Sequence, residues 1–173
     1  AEQKYTQALD IDPDFVLAKL RMAEVLRFRG GTARAQELMH VIRPRLSELS
    51  HIDSLRAEAL SARLSGELRR EIDILRAIYN RYSTRKEAPY DVAEAYYEIC
   101  DIKNAIDFYK RALDLDKNFA RAHNHLAYSY SHLAEHDSAL THFKKYVELD
   151  STANAFDSLG DGFMAAGVLD SAA

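Results

Sequence analysis

Tryptophan is absent from this 173-residue chain, cysteine occurs once, proline three times and glycine six times. The lone Cys100 excludes a disulfide framework within the chain, and without a C-x-x-C pair there is no starting point for a structural zinc site. So few prolines and glycines predict long helices with few breaks. No run of about 18 apolar residues occurs, so membrane insertion is not expected. Lys and Arg number 23 against 27 Asp and Glu, a net charge of −4, which leaves no basic excess to attract a phosphate backbone, and direct nucleic-acid binding is not expected. Also missing are a G-x-x-x-x-G-K-[ST] loop, a G-x-G-x-x-G turn and any N-x-S/T acceptor. Together with the single thiol this fits a reducing, cytoplasmic setting, and nothing calls for a cofactor or a metal.

What the chain does have is a period. Small residues recur at a spacing close to 34: Ala1 to Ala35, then Ala105 to Ala139, with Ala172 following after 33. Four positions after each mark comes a large apolar residue, at Tyr5, Met39, Leu75, Tyr109 and Phe143. Three further on lie Ala8, Ile42, Ile78, Ala112 and Tyr146, and upstream sits another small series, Ala23, Ala59, Ala93, Ala127 and Gly160. Positions three and four apart share one helix face, so this pattern describes helices whose inner faces approach a neighbour closely.

A unit of about 34 residues is the length of a helix-turn-helix solenoid repeat. The chain resembles the tetratricopeptide repeat on specific residues: Leu126-Ala127, Tyr130, Ala139, Phe143 and Tyr146 in one copy, and Ala93, Tyr96, Ala105, Tyr109 and Ala112 in the copy before it. Ala8-Leu9-Asp10-Ile11-Asp12-Pro13 matches the family's repeat ending, proline included. The resemblance implies an all-α, alpha-alpha superhelix of about five helical hairpins, right-handed and grooved on its inside. The register divides it into the tail of a repeat at 1–13, full repeats at 14–46, 52–85, 86–118 and 119–152, and a partial repeat at 153–173. Both ends then fall inside repeats, and the sequence reads as part of a longer array.

Turns are expected at Gly30-Gly31, with Thr32 as N-cap, at Gly66, and at Cys100 and Ala134 in place of glycine. Pro89 is expected to open a shortened helix. Between Ala35 and the equivalent Glu71 the spacing is 36, which predicts an offset junction within 40–52. Glu71 stands where the family wants a small residue, so either it tilts to solvent or the register there shifts by one.

His132-Leu133-Ala134-Glu135-His136 matches the H-x-x-E-H of inverted zinc metalloproteases, in which two imidazoles on one helix face hold zinc and the glutamate activates water. Here Ala134 occupies the turn, so the helix should end inside the string and turn histidines are the better reading. His123 and His125, two apart, do not share a face and read as a solvated helix start. Cys100 lacks a neighbouring histidine and reads as a small turn residue.

The resemblance assigns the groove to first-helix positions: Arg27 and Phe28, then Arg56, Leu60 and Arg63, then Tyr90, Glu94 and Tyr97, then Arg121, Asn124, Tyr128 and His132, and finally Asp157 and Asp161. By contrast, Tyr5, Tyr96, Tyr109, Tyr130 and Tyr146 are packing positions. A familiar subtype grips the acidic C-terminus of heat-shock chaperones with lysines and asparagines. This chain departs from it, with Tyr90 and Glu94 at the first clamp positions and His125 for the second asparagine.

The functional expectation is a non-catalytic protein–protein interaction scaffold that takes a protein or peptide ligand in its groove. The alternative is a regulatory or sensory module of a larger bacterial protein, since Pro89 to Gly167, with Phe156-Asp157-Ser158-Leu159-Gly160, looks like arrays attached to signalling kinases and winged-helix regulators. A zinc metallohydrolase working through 132–136 is the weakest reading. Self-association through Phe163, Met164 and Val168 at an exposed array end is a further expectation.

Overall fold

The structure is a computed structural model that describes residues 2–167; Ala1, Val168 and Ala172, used in the sequence argument, lie outside the described residues. The described chain is all helical: α1 (Glu2–Ile11), α2 (Val16–Phe28), α3 (Thr32–Ile42), a 3-10 segment (Arg43–Glu48), α4 (His51–Leu64), α5 (Leu68–Arg81), α6 (Glu87–Glu98), α7 (Ile102–Leu115), α8 (Ala120–His132), α9 (His136–Leu149) and α10 (Ala153–Ala165). No described helix is long and apolar enough to cross a membrane. The chain divides into two compact units, residues 1–78 and 79–173, and the division falls within α5.

In the first unit α2 packs on α1 and α3, and α4 packs on α2, α3 and the 3-10 segment. Leu20, Ala23, Ala35, Ile42 and Ala57 are fully buried in its core. Asp12-Pro13 ends α1, because proline cannot continue the hydrogen-bond ladder. Gly30 closes the α2–α3 turn with φ +79°, a left-handed conformation that costs glycine little. Thr32 is already the first helical residue and Gly31 is the cap, with no side-chain bond, so the expected threonine cap does not form. The two surplus residues near 40–52 are taken up by the 3-10 segment, where Pro44 at its start and non-helical Arg45 break the α ladder. Ser50 then caps α4 by accepting from the Asp53 N–H.

Glu71 neither tilts out nor shifts the register. It is only 6% exposed, and its carboxylate accepts from Arg63 Nε at 2.6 Å. The guanidinium reaches it from α4, eight residues back, so an ion pair fills the place that alanine fills elsewhere. Burial pushes the Glu71 carboxyl up, opposed by the Arg63 hydrogen bond.

In the second unit α6 pairs with α7, α7 with α8, α8 with α9, and α10 with both α8 and α9. Ala93, Ala105, Ala112, Ala122 and Ala127 are all at 0% exposure, as are Tyr109 and Phe143. This is the expected pattern of small residues where helices approach and large ones filling the space between. Gly162 shows how close the approach is: a Cβ there would lie 2.6 Å from Phe143 Cδ2. The turns at Cys100 and Ala134 are left-handed, φ 59° and 57°, although neither residue is glycine. Pro89 sits third in α6, which begins two residues earlier than expected; an amide in that first turn has no intrahelical partner to lose. At α10, Met164 is 56% exposed and Phe163 lies 6.0 Å from Lys144 Nζ.

A candidate partner-binding face on the first helices of the second unit

Helix α8 carries Arg121, Asn124, Tyr128 and His132 at intervals of three and four, so all four lie on one face. Three hydrogen bonds tie that face to its neighbours. Tyr97 OH on α6 and His132 Nε2 are 2.9 Å apart, with the rings edge to face at 5.4 Å. Tyr128 OH donates to Asp161 Oδ2 on α10 at 2.9 Å, its ring edge to face with Phe143. His125 Nδ1 lies 2.7 Å from Glu94 Oε1 on α6. Arg121 is exposed and stacks its guanidinium over Tyr90 at 5.0 Å and Phe119 at 5.5 Å.

Glu94 is the hub. Its carboxylate accepts from Tyr109 OH as well as from His125. Burial alone would raise this acid, but hydrogen bonds from His125, Tyr109 and Tyr90 outweigh it and hold the carboxyl below its usual range. Burial, reinforced by the Glu94 charge, pushes the Tyr90 and Tyr109 phenols far up, so both remain hydrogen-bond donors. Tyr97 is also raised, first by burial and then by Glu94.

Several residues assigned to the groove sit elsewhere. Tyr90 is 4% exposed, packed among Tyr109, Phe119 and His125, and belongs to the core. Its large ring turns inward onto three aromatic neighbours, which helical spacing alone does not reveal. Glu94 keeps only 15% side-chain exposure and is spent on the hub. Leu60 is 6% exposed in the core of the first unit, and Arg63 is the counterion of Glu71. In the first unit, Arg27 and Arg56 are half-buried, and the Arg27 guanidinium stacks 4.0 Å over the exposed Phe28 ring. Tyr97, Asn124 and Tyr128 are half-buried, whereas Arg121, His132, Asp157 and Asp161 are exposed.

Of the two histidines at the start of α8, His125 is half-buried, whereas His123 is not solvated. His123 is 8% exposed, its Nε2 3.0 Å from the Lys117 carbonyl and its Nδ1 2.9 Å from His142 Nδ1. A carbonyl only accepts, so His123 donates through Nε2, and in the neutral pair His142 supplies the Nδ1 proton. The omission of His125 from the face had a legible signal: it lies four after Arg121, three before Tyr128 and seven before His132. The H-x-x-E-H string is split, with His132 ending α8, Ala134 in the turn and His136 opening α9. No cluster of three metal-ligating residues occurs among the described residues.

The tetratricopeptide repeat family model matches residues 90–119 and 120–152. No curated protein matches the chain by sequence. Among solved structures, TTC0263, a thermophilic TPR protein of Thermus thermophilus, is 20% identical over 99% of this chain and 86% of its own, with a TM-score of 0.73. The MamA protein is 22% identical over 91% of this chain and 85% of its own, with a TM-score of 0.63. YrrB, described as a TPR protein with an unusual peptide-binding site, is 18% identical over 99% of this chain and 92% of its own, with a TM-score of 0.57. At these identities the likeness is one of fold.

Proposed function

We propose that this chain, an array of tetratricopeptide repeats folded as helical hairpins, is a non-catalytic scaffold that binds an extended segment of a partner protein across α6, α8 and α10. The observation that carries the reading is the α8 row Arg121–Asn124–Tyr128–His132 beside Tyr97. These are aromatic and polar side chains on one face that the core leaves partly exposed. Half-buried tyrosines anchor partners well, since they bring large rigid area and one hydroxyl at low entropic cost. Asn124 Oδ1 is buried without a hydrogen-bond partner, so a ligand amide has an acceptor to satisfy. The peptide-binding site named for YrrB supports the reading by analogy of fold.

Immobilised protein tests this. Tyr97→Ala and Tyr128→Ala should each weaken capture of the natural partner about tenfold, with far-UV circular dichroism unchanged. Undiminished capture by both variants, with the fold intact, would place the binding surface elsewhere.

A further inference from the structure

Acidic side chains dominate the first helices of the second unit. Glu87, Asp91, Glu94 and Glu98 follow one another along α6 at intervals of four, three and four, a single stripe, and α10 carries Asp157 and Asp161 four apart. Against these six carboxylates, α6, α8 and α10 set one permanent cation, Arg121. The second helices of the same unit are balanced, with five lysines and arginines against four carboxylates on α7 and α9. Negative charge is therefore segregated onto the face that carries the half-buried Tyr97 and Tyr128, and such a face attracts an occupant of the opposite sign. We propose that the α6–α8–α10 face is a docking surface for a basic, arginine-bearing segment of a partner protein, whose guanidinium groups meet the α10 aspartates beside Tyr128. The inference rests on the partner-binding reading above and adds the chemistry of the ligand.

Acceptors gather on the α8–α10 side of the face. Asp157 and Asp161 are exposed, and among the described residues neither is paired with a lysine or arginine. Tyr128 OH occupies Asp161 Oδ2 and leaves Oδ1 open. Because α8 and α10 are successive first helices and run the same way, that bond sets their register: Asn124 and Asp157 each lie one turn earlier and come level with one another. Asn124 Oδ1 is buried there without a hydrogen-bond partner. Arginine and lysine donate and never accept, and a guanidinium can take two carboxylate oxygens at once, so arginine is the side chain that best satisfies this set. The Tyr128 ring beside it adds cation–π attraction.

Arg121 does not cancel this charge. Its guanidinium stacks over Tyr90 and Phe119, on the α6 side of the row, and α10 itself has no lysine, arginine or histidine. His132 turns to the Tyr97 hydroxyl. On α6, Glu94 is already spent on His125 and Tyr109. The α10 aspartates are thus the exposed pair for a ligand cation to neutralise, while Tyr97 and Tyr128 supply the apolar area that holds the rest of the segment.

The test uses a fluorescein-labelled decapeptide of alternating arginine and alanine, with glutamine or glutamate for arginine as controls, followed by anisotropy at about 0.15 M salt, where attraction between distant exposed charges is screened. The arginine peptide should bind at least about tenfold more tightly than either control. Asp157→Asn with Asp161→Asn should weaken it about tenfold, whereas Asp114→Asn with Asp137→Asn, the same loss of charge at exposed second-helix positions, should change it by less than about twofold. Should the α10 double variant lose its circular dichroism signal, Asp157→Asn alone should weaken binding about threefold. An arginine peptide that binds no more tightly than its controls, binding that survives loss of the α10 aspartates, or an equal loss from the second-helix pair would overturn the inference. Such a result leaves the partner-binding reading standing if Tyr97→Ala and Tyr128→Ala still impair capture of the natural partner, and removes both if they do not.

Discussion

The two units meet the same two demands, a tight turn within each hairpin and a close helix approach after it, and relax them in opposite places. In residues 1–78 the turns are glycines at positive φ, Gly30 and Gly66, while one close approach carries a buried charge pair, Arg63 with Glu71. In residues 79–173 the close approaches are fully buried alanines, Ala105 and Ala127, while the turns force Cys100 and Ala134 into a left-handed backbone. A left-handed non-glycine residue costs roughly 1–2 kcal/mol, and burying an ion pair sets a desolvation cost against its attraction. A left-handed non-glycine turn and a buried charge pair are thus each accommodated, in different units. The family model matches residues 90–119 and 120–152, both in the second unit.

Breaking the comparison at Glu71 should have the largest effect. Glu71→Ala takes the carboxylate from a guanidinium whose side chain is 8% exposed, and should destabilise by about 3–5 kcal/mol in urea titrations. Combining it with Arg63→Leu should recover most of that loss, because alanine would then stand where it stands in the second unit. A single variant as stable as the wild type would show that the pair contributes nothing.

In the second unit, Ala105→Leu or Ala127→Leu should cost about 1–3 kcal/mol by overpacking. Both alanines are completely buried. Unchanged melting temperatures would count against the close approach assigned to them.

A pH titration separates the units further. Burial, with His123 and Lys110 nearby, pushes the His142 imidazole down to about 4. An unfolded histidine titrates near about 6.5, so between about pH 6.5 and 4 the unfolded chain binds more protons than the folded one. Stability from this group is complete above that window and is lost as pH falls through it. Because the ring is part-exposed, we expect about 1–2 kcal/mol. His142→Gln should flatten the loss seen by denaturant titration between about pH 7 and 4.5, and an equally steep loss in the variant would show that other groups carry it.

The smallest effect exchanges the turns. Cys100→Gly and Ala134→Gly should each stabilise by about 0.5–1 kcal/mol, the relief of backbone strain less the entropy glycine adds to the unfolded chain. Gly30→Ala should cost a similar amount. Gains in the first unit's variant, or losses in the other two, would reverse the assignment of strain.

Much of this was legible in the sequence, because a helical face repeats at a fixed spacing and small residues mark where backbones approach. Ala23, Ala35, Ala105 and Ala139 could be read as buried from spacing alone. The surplus of two residues before Glu71 was countable, but only the backbone shows it as a 3-10 segment around Pro44. The partner of Glu71 was not legible, since Arg63 lies on the preceding helix at no periodic distance. Tyr90 was misplaced because spacing fixes the side of a helix and says nothing of whether a long aromatic ring bends inward. His125 stood at a legible spacing on the α8 face, but its bond to Glu94 crosses helices, and only the fold brings those two together.

A scaffold of this kind must meet its partner polypeptide on the α6–α8–α10 face. Benzoylphenylalanine placed at Tyr97 or Tyr128, and for comparison at the exposed second-helix positions Lys103 or Lys144, reads this directly by photo-crosslinking to the natural partner. Crosslinks are expected from Tyr97 and Tyr128, with few or none from Lys103 and Lys144. Crosslinks confined to the second-helix positions would contradict that placement.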